Sequence, residues 1–227
     1  MIGVGYTGVK LSDNSGGTGF TFRNELGLQN GVMKIAGRLQ GMPATEAVEM
    51  AMSVNLAEAS LGVATINAVL NRDFEQGENA LEVIDLRPED VVGMVGYFFP
   101  VAKQLQGKVS KLYIFEKKLT EPELLPDWAE NIYLPQCDVV IITGVTFINK
   151  TVDHVLSLCR MAKEIVIMGP STCMAPEVLG KYGVTVLAGS SVTDADLLLR
   201  IIAQGGGGMD INRCTEKLCV RISARRT

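Results

Sequence analysis

Short apolar segments alternate with longer amphipathic segments over the second half of the chain, from about residue 90 to residue 204. The apolar segments are rich in β-branched residues, which is typical of parallel strands that are buried on both faces. They lie at 91–95, 112–115, 139–142, 165–168 and 184–187. The segments between and after them predict helices at 100–106, 149–162, 174–182 and 194–204. This alternation predicts a Rossmann-like α/β fold with a mostly parallel, doubly wound sheet.

The first third of the chain has a different pattern. Residues 2–11 and 18–23 predict two strands, and residues 12–17 between them have the composition of a turn, so we expect a β-hairpin. A third short strand or loop covers 31–38, and Pro43 begins a helix at 44–52. These elements predict a small α+β domain in front of the α/β domain.

A helix predicted at about 55–72 has apolar residues all the way round, so we expect it to be mostly buried. Its polar residues Ser60, Asn67 and Asn71 share one narrow angular sector with Ser53, which precedes the helix. A polar seam on a buried helix either bonds to neighbouring backbone or lines a wet cleft. We favour the cleft, with Asn67 and Ser60 reaching a ligand.

The domain boundaries follow from the changes in pattern. Residues 73–89 are charged and weakly periodic, so we predict an α+β domain over 1–85 and a Rossmann-like domain over 86–207. Four glycines at 205–208 end the last helix and introduce a predicted tail over 208–227. Three prolines interrupt the segment 119–136, which also contains Trp128, so any helix there is short.

Composition and charge exclude several function classes. A net charge of −4 without a basic stripe gives no electrostatic reason to bind nucleic acid. No apolar run approaches the roughly 18–20 residues of a membrane helix, and the N-terminus lacks a signal-peptide pattern. Five cysteines without framework spacing suggest reduced thiols. We therefore expect a cytoplasmic protein without nucleic-acid or membrane partners, and the sequence leaves a homodimer open.

Small and polar residues follow directly after each predicted strand. In an open α/β sheet, ligands bind in the crevice beyond the carboxyl ends of the strands, so these residues predict a small-molecule site. The candidate ligand-binding residues, in strand order, are Gly96, Tyr97, Thr143, Gly144, Thr146, Gly169, Pro170, Ser171 and Gly189.

Glu116 also follows a predicted strand, 23 residues after Gly93. An acidic residue at about this distance accepts hydrogen bonds from ribose hydroxyls in dinucleotide-binding folds. The segment 93–100 nevertheless lacks the third glycine of such a site, and Phe98, Phe99 and Pro100 fill the place of a pyrophosphate. A solvated carboxylate beside two lysines is an equally supported interpretation of Glu116.

Asn149 is a natural N-cap for the helix that follows the third predicted strand, and the free amides of a helix N-terminus also bind anions. His154 is the single histidine of the chain and lies inside that helix, which excludes a cluster of histidine ligands. Cys214 and Cys219 lack the paired spacing of a zinc knuckle. We predict no metal site, and the sequence identifies no cofactor.

Four stretches resemble a known family, the one described as "putative heavy-metal chelation". They are Ala59–Ala68, Ile142–Thr151, Met168–Thr172 and Leu187–Gly189, in the family's order and spacing, and the resemblance covers about residues 2–204. It implies an N-terminal domain like that of enolase, a Rossmann-like domain, and an active site between the two. It also implies a role in making or breaking down a pterin-, flavin- or siderophore-like chelator. Family members usually have a helical segment before the hairpin, so either the start is truncated here or that helix is dispensable.

Three functional hypotheses follow. The first is a condensing or hydrolytic enzyme, or a binder, of a polar heteroaromatic or chelating metabolite, with Glu116, Asn67 and Asn149 as catalytic residues. The second is a non-catalytic metallochaperone or chelate carrier, which needs only donor groups in a pocket. The third is an adenosylmethionine-dependent methyltransferase-like protein with Glu116 on the ribose. The third tolerates the missing glycine, although residues 98–100 offer no open turn.

Overall fold

The computed structural model describes residues 1–26, 31–74, 76–77 and 79–222. Its first part contains an antiparallel hairpin that packs against one central helix, with two shorter helices. The elements are β1 (Tyr6–Lys10), β2 (Gly16–Phe20), α1 (Ala44–Glu49), α2 (Leu56–Leu70) and α3 (Ala80–Val83). The predicted hairpin and both predicted helices are present. Residues 27–30, which precede α1, lie outside the described residues.

The hairpin differs from its prediction at Gly16 and Gly17, which belong to β2 and not to the turn. A Cβ atom on Gly17 would overlap the carbonyl oxygen of Ala64 and the backbone nitrogen of Ala68. Gly17 therefore lets the strand lie directly on the backbone of α2, and a Cβ atom on Gly16 would overlap the Val192 side chain, which explains a strand where the composition suggested a turn.

Helix α2 forms as the sequence predicts because its N-terminus is capped and its surface is apolar. The Oδ1 atom of Asn55 accepts hydrogen bonds from the backbone of Ala57 at 2.9 Å and Glu58 at 3.3 Å. Ala59 and Ala64 are fully buried, and small side chains of this kind let β2 approach closely.

The second part of the chain is an α/β structure around one seven-stranded sheet with the strand order β5-β4-β3-β6-β7-β8-β9. All neighbouring strands are parallel except β8 and β9, which confirms a mostly parallel α/β fold. The order reverses at β3, so the crevice between β3 and β6 is the topological switch point where such sheets bind ligands. The elements are β3 (Val91–Val95), α4 (Phe99–Leu105), β4 (Lys111–Glu116), β5 (Leu124–Pro126), α5 (Glu130–Tyr133), β6 (Val139–Thr143), α6 (Thr146–Asn149), α7 (Val152–Leu158), β7 (Glu164–Met168), α8 (Pro176–Leu179), β8 (Val186–Val192), α9 (Ala195–Ala203), α10 (Gly208–Ile211) and β9 (Thr215–Arg221).

The helix predicted at 149–162 is two helices, α6 and α7, separated by Lys150 in a left-handed conformation with φ of 66°. Asn149 ends α6, so its predicted role as an N-cap is wrong. Its Oδ1 atom instead accepts hydrogen bonds from the backbone nitrogen of Thr151 at 3.2 Å and from the Thr151 hydroxyl at 2.8 Å. The side chain stabilises the break between the helices.

The interpretation of residues 208–227 as a tail is wrong for the described part of that segment. Residues 208–211 form α10, and β9 pairs antiparallel with β8 from Val186↔Arg221 to Val192↔Thr215. Leu218 is 2% exposed because it enters the core beneath the sheet. Residues 223–227 lie outside the described residues. Within the described part of the chain, no helix has the length and apolar character to cross a bilayer.

Candidate functional site

A cavity of about 590 Å³ opens at the carboxyl ends of β3, β4, β6 and β7. Its floor is formed by the strand ends and the turns that follow them, including Gly96, Glu116, Thr143 and Gly169. The cavity therefore lies at the topological switch point of the sheet. A concave site of this size at this place is a typical small-molecule pocket.

The hairpin of the first part supplies an aromatic wall of this cavity through Tyr6 and Phe20, and Phe22 follows it in the chain. The rings of Phe20 and Phe22 meet edge to face with centroids 5.3 Å apart. Two hydrogen bonds join this wall to the turn after β7. The Thr18 hydroxyl donates to the carbonyl oxygen of Pro170 at 2.7 Å, and the Phe20 backbone donates to Ser171 Oγ at 2.9 Å.

The turn after β3 presents aromatic rings to the cavity. Gly96 has φ of +87°, and a Cβ atom there would lie 2.9 Å from Thr143 Cγ2, so the turn approaches β6 closely. Glu116 accepts hydrogen bonds from the backbone of Tyr97 at 3.1 Å and of Lys117 at 2.8 Å. Phe98 precedes α4, Pro100 lies in its first turn, and the Phe98 ring lies near Gly169. This turn offers no open cluster of backbone N–H groups for a phosphate.

Glu130, the first residue of α5, brings a second carboxylate to the cavity. Glu130 is only 8% exposed, and its carboxylate forms no hydrogen bond with any of the described residues. Burial first, and then the charge of Asp127, raise the pKa of Glu130 to about 7. A carboxyl group that titrates near neutrality inside a pocket is a candidate acid–base group.

Nine of the predicted site residues line the cavity, and four lie elsewhere. Those at the cavity are Gly96, Tyr97, Glu116, Thr143, Thr146, Asn149, Gly169, Pro170 and Ser171. Gly144 packs beneath Thr172, where a Cβ atom would lie 2.5 Å from the Thr172 backbone nitrogen. Gly189 packs against Met174, and a Cβ atom on Gly189 would lie 2.8 Å from the Met174 sulfur. Both glycines support the floor from below and are not among the lining residues.

The prediction that Asn67 and Ser60 reach a ligand is wrong. Asn67 is 1% exposed and donates from Nδ2 to the carbonyl oxygen of Thr18 at 2.8 Å. Ser60 is fully buried and donates to the carbonyl oxygen of Phe20 at 2.7 Å. The polar seam of α2 therefore fastens the outer edge of β2, whose carbonyl groups have no strand partner on that side.

The sequence analysis missed the residues of segment 127–131 that line the cavity. Asp127, Trp128, Glu130 and Asn131 all face it, although the prolines of this segment suggested an irregular connection. His154, treated as an ordinary helix residue, lies on α7 at the rim of the same cavity and is exposed. A usable signal was the close spacing of two acids, an asparagine and a tryptophan next to a short strand.

The thiols of the described residues do not form a site for a soft metal ion. Burial raises the pKa values of Cys137, Cys159 and Cys173 to about 12, so these thiols stay protonated near neutral pH. Cys137 and Cys159 also donate to the backbone carbonyl groups of Tyr133 and Val155. Among the residues that the structure describes, no three histidine, cysteine or carboxylate side chains converge on a point suited to a metal.

The free energy of unfolding of the native protein should fall as the pH rises from 5 to 8, and we expect this fall to be smaller in Glu130→Gln. The folded protein holds a proton on Glu130 that the unfolded chain has released, because the pKa is about 7 in the fold against an ordinary glutamate value of 4.5. The contribution is complete below about pH 4.5 and is lost as the pH rises through 7. Since the carboxylate borders an open cavity, the effect is on the order of 1 kcal/mol. Urea unfolding at several pH values measures it.

Glu123→Gln is the matched control, because Glu123 is exposed and near the same segment. An unchanged dependence on pH in Glu130→Gln, or the same change in both variants, would contradict the expectation.

Comparison with known proteins places this geometry among uncharacterised relatives. Two family models, both described as putative heavy-metal chelation, match residues 1–70 and 79–221. An uncharacterised protein of Methanocaldococcus jannaschii is 31% identical over 185 residues, which are 78% of this chain and 71% of that protein. A crystal structure of a protein of unknown function from Desulfitobacterium hafniense superposes with a TM-score of 0.85 and 28% identity, covering 97% of this chain and 89% of that one. Another, from Pyrococcus horikoshii, gives 0.81 and 27%, covering 98% and 91%.

Proposed function

This chain belongs to the family described as putative heavy-metal chelation, and from that premise we propose that it binds a small heteroaromatic metabolite of the chelator type at the switch point of the sheet. The observation that supports the proposal most directly is a pocket with aromatic rings on several walls and polar groups at the strand ends. A flat ring system with a few polar substituents matches that distribution.

The aromatic walls come from separate segments of the chain. Phe20 and Phe22 stand on the hairpin side, Tyr97 and Phe115 on the β3 and β4 side, and Trp128 precedes α5. The side chain of Trp128 is 65% exposed, which is unusual for so large an apolar group unless it meets a ligand or partner. Stacking between two such walls favours a planar ligand.

The turn after β3 favours a ligand without phosphate groups. Phe98 and Pro100 occupy the place where a dinucleotide-binding fold has free backbone amides, so this turn does not favour binding of the pyrophosphate of NAD. Glu116 already accepts hydrogen bonds from Tyr97 and Lys117, which also weakens its assignment to a ribose in the methyltransferase-like alternative. A pterin-, flavin- or siderophore-like ligand fits better than a nucleotide.

The protein's own side chains favour action on the organic chelator over direct ligation of metal. The buried thiols are protonated and bonded to backbone, and the described residues contain no cluster of metal-binding side chains. Any metal would then arrive as part of a chelate, as substrate or cargo. This arrangement fits the family's description without a resident metal.

Glu130 favours an enzyme over the carrier alternative. A carrier needs hydrogen-bond donors and acceptors, whereas an acid–base group is most useful when its pKa lies near the working pH. Glu130 has a pKa of about 7 in the pocket. We propose that it exchanges a proton with the bound ring system, which is the step that a condensing or hydrolytic reaction on such a ring requires.

The test of binding uses pterin, lumazine and riboflavin as probes, titrated against the purified protein by fluorescence. We expect saturable binding of at least one probe, and about tenfold weaker binding to Trp128→Ala, the loss of one aromatic contact. Ile132→Ala is the matched control, because Ile132 lies in the adjacent helix α5, is 58% exposed and does not line the cavity.

The absence of saturable binding by all three probes, or equal affinity in Trp128→Ala and the native protein, would refute the proposed site. Mass spectrometry of the probe after incubation separates the two functional classes. A carrier returns the probe unchanged, whereas an enzyme alters it at a rate that falls in Glu130→Gln.

A further inference from the structure

Acidic residues outnumber basic residues around the cavity. Glu116, Asp127 and Glu130 line it, against a single lysine, Lys117. The Nζ atom of Lys117 lies 3.2 Å from a carboxylate oxygen of Glu25 and 5.5 Å from the ring centroid of Phe22. Its charge is therefore already engaged by an acid outside the cavity, and the lining is acidic.

Glu130 is the member of this acidic set whose carboxylate has no bond within the described protein. Residue 130 is 92% buried, and its neighbour Asp127 accepts a hydrogen bond from the Trp128 backbone at 2.9 Å. Glu116 is likewise bonded to two backbone amides. The Glu130 carboxylate has no protein donor and borders the cavity, so it can accept a hydrogen bond or a positive charge that a ligand supplies.

We infer that the cavity selects a cationic heteroaromatic ligand, one with a protonated ring nitrogen or a fixed positive charge, whose charged edge lies against Glu130. This inference rests on the proposed function, because it specifies the charge of the ring system that the pocket takes. The pterin- and flavin-like class contains rings with basic nitrogens and amino substituents, so the inference narrows that class to its protonated or alkylated members.

Two physical effects favour the cation over a neutral ring of the same shape. A cation beside the ionised carboxylate gains a Coulomb attraction that a neutral ring lacks, and an N–H donor on such a cation also forms a charge-assisted hydrogen bond, about twice as strong as a neutral one. The faces of Trp128 and Tyr97 attract positive charge through their quadrupoles, and this attraction grows where water is excluded. Both effects vanish for an uncharged isostere, which retains only stacking.

The inference also predicts a dependence on pH. A bound cation favours the ionised form of Glu130, so the affinity rises with pH as this group loses its proton. Other titratable and charged groups around Glu130 contribute to the electrostatic potential in the cavity, and they are unchanged in every variant of the test. They are Asp127 before α5, Glu116 and Lys117 after β4, His154 on α7, and Cys137 and Cys159 at the ends of the neighbouring segments.

The experiment compares two flat probes, N-methylquinolinium, which has a fixed charge, and quinoline, which is neutral between pH 6 and pH 8. We expect the native protein to bind the cation about tenfold more tightly at pH 8, and that preference to fall severalfold at pH 6 because most Glu130 side chains are then neutral. In Glu130→Gln the preference at pH 8 should fall severalfold and should no longer depend on pH between 6 and 8, because the aromatic faces that remain still attract a cation. Asp153→Asn, which removes an exposed acid of α7 that does not line the cavity, should keep it.

The outcomes separate this inference from the proposed function. Equal binding of both probes to the native protein, or a preference in Glu130→Gln that keeps its native size and pH dependence, overturns the inference and leaves a heteroaromatic site in place. Failure of both probes to bind refutes the site and the inference together. The comparison of the two probes on the native protein decides the question even if Glu130→Gln does not fold.

Discussion

Gly17→Ala should lower the free energy of unfolding by about 3 kcal/mol or more, the upper range for a side chain forced into a filled space. The added methyl group would overlap the carbonyl oxygen of Ala64 and the backbone nitrogen of Ala68. These are backbone atoms of α2, which cannot rotate away as a flexible side chain does. Strand β2 must therefore move off the helix, and Phe20 moves with it at the cavity wall.

Gly207→Ala is the control for this substitution, because a Cβ atom there has no heavy atom within 4 Å and the residue does not have a positive φ. Chemical denaturation of both variants measures the difference. A loss in Gly17→Ala below about 1 kcal/mol, the lower limit for overpacking, would show that β2 does not lie on the helix backbone.

Asn71→Ala should cost about 3 kcal/mol and also weaken binding at the cavity, because Asn71 joins the two parts of the fold. It is 2% exposed at the end of α2. Its Nδ2 atom donates to the carbonyl oxygens of Thr172 at 2.9 Å and Ser190 at 3.3 Å, and its Oδ1 atom accepts from the Met174 backbone at 3.0 Å. The alanine variant removes three hydrogen bonds to backbone groups, two of them buried, beside the turn that lines the cavity.

Asn67→Ala provides the comparison, since Asn67 lies one turn earlier on the same helix and makes one described bond, to Thr18. Its loss should cost about 1 kcal/mol, the typical value of a single hydrogen bond, and should leave probe affinity unchanged. Equal losses of stability in the two variants would contradict the bridging role of Asn71. Unchanged affinity in Asn71→Ala would show that the turn at 169–174 holds its position without it.

The parallel strands were predictable because they are buried on both faces. A strand such as Val139–Thr143 has no polar position before its last residue, so its apolar pattern is clear. The rule for strand ends then places Gly96, Glu116 and Gly169 at one edge. Strand β9 is different, since Glu216 and Lys217 are exposed at the sheet edge. Only Leu218 of this strand is fully buried, so its sequence has no clear period.

The missed features depend on contacts between distant segments. The sequence around Lys150 continues the helical pattern, and nothing local requires the left-handed residue that separates α6 from α7. The polar residues of α2 could either bond to neighbouring backbone or line a cleft. They bond to backbone because the free edge of β2, about 45 residues away in the chain, lies against them. Glu130 lies in a segment without periodicity, so its approach to the cavity followed only from the packing of α5.

The hairpin packs on α2 and also on segments near the opposite end of the chain, which sets an order of events during synthesis. Tyr6 packs with Leu198, Ile201 and Ile202 of the buried cluster around α9. A Cβ atom on Gly16 would lie 2.5 Å from the side chain of Val192 on β8. The hairpin can therefore pack on α2 after about 60 further residues, whereas its contacts with β8 and α9 wait for about 190. A nascent chain that has not yet released α9 lacks one packing partner of the hairpin that walls the ligand pocket, so ligand binding should strengthen once α9 has emerged.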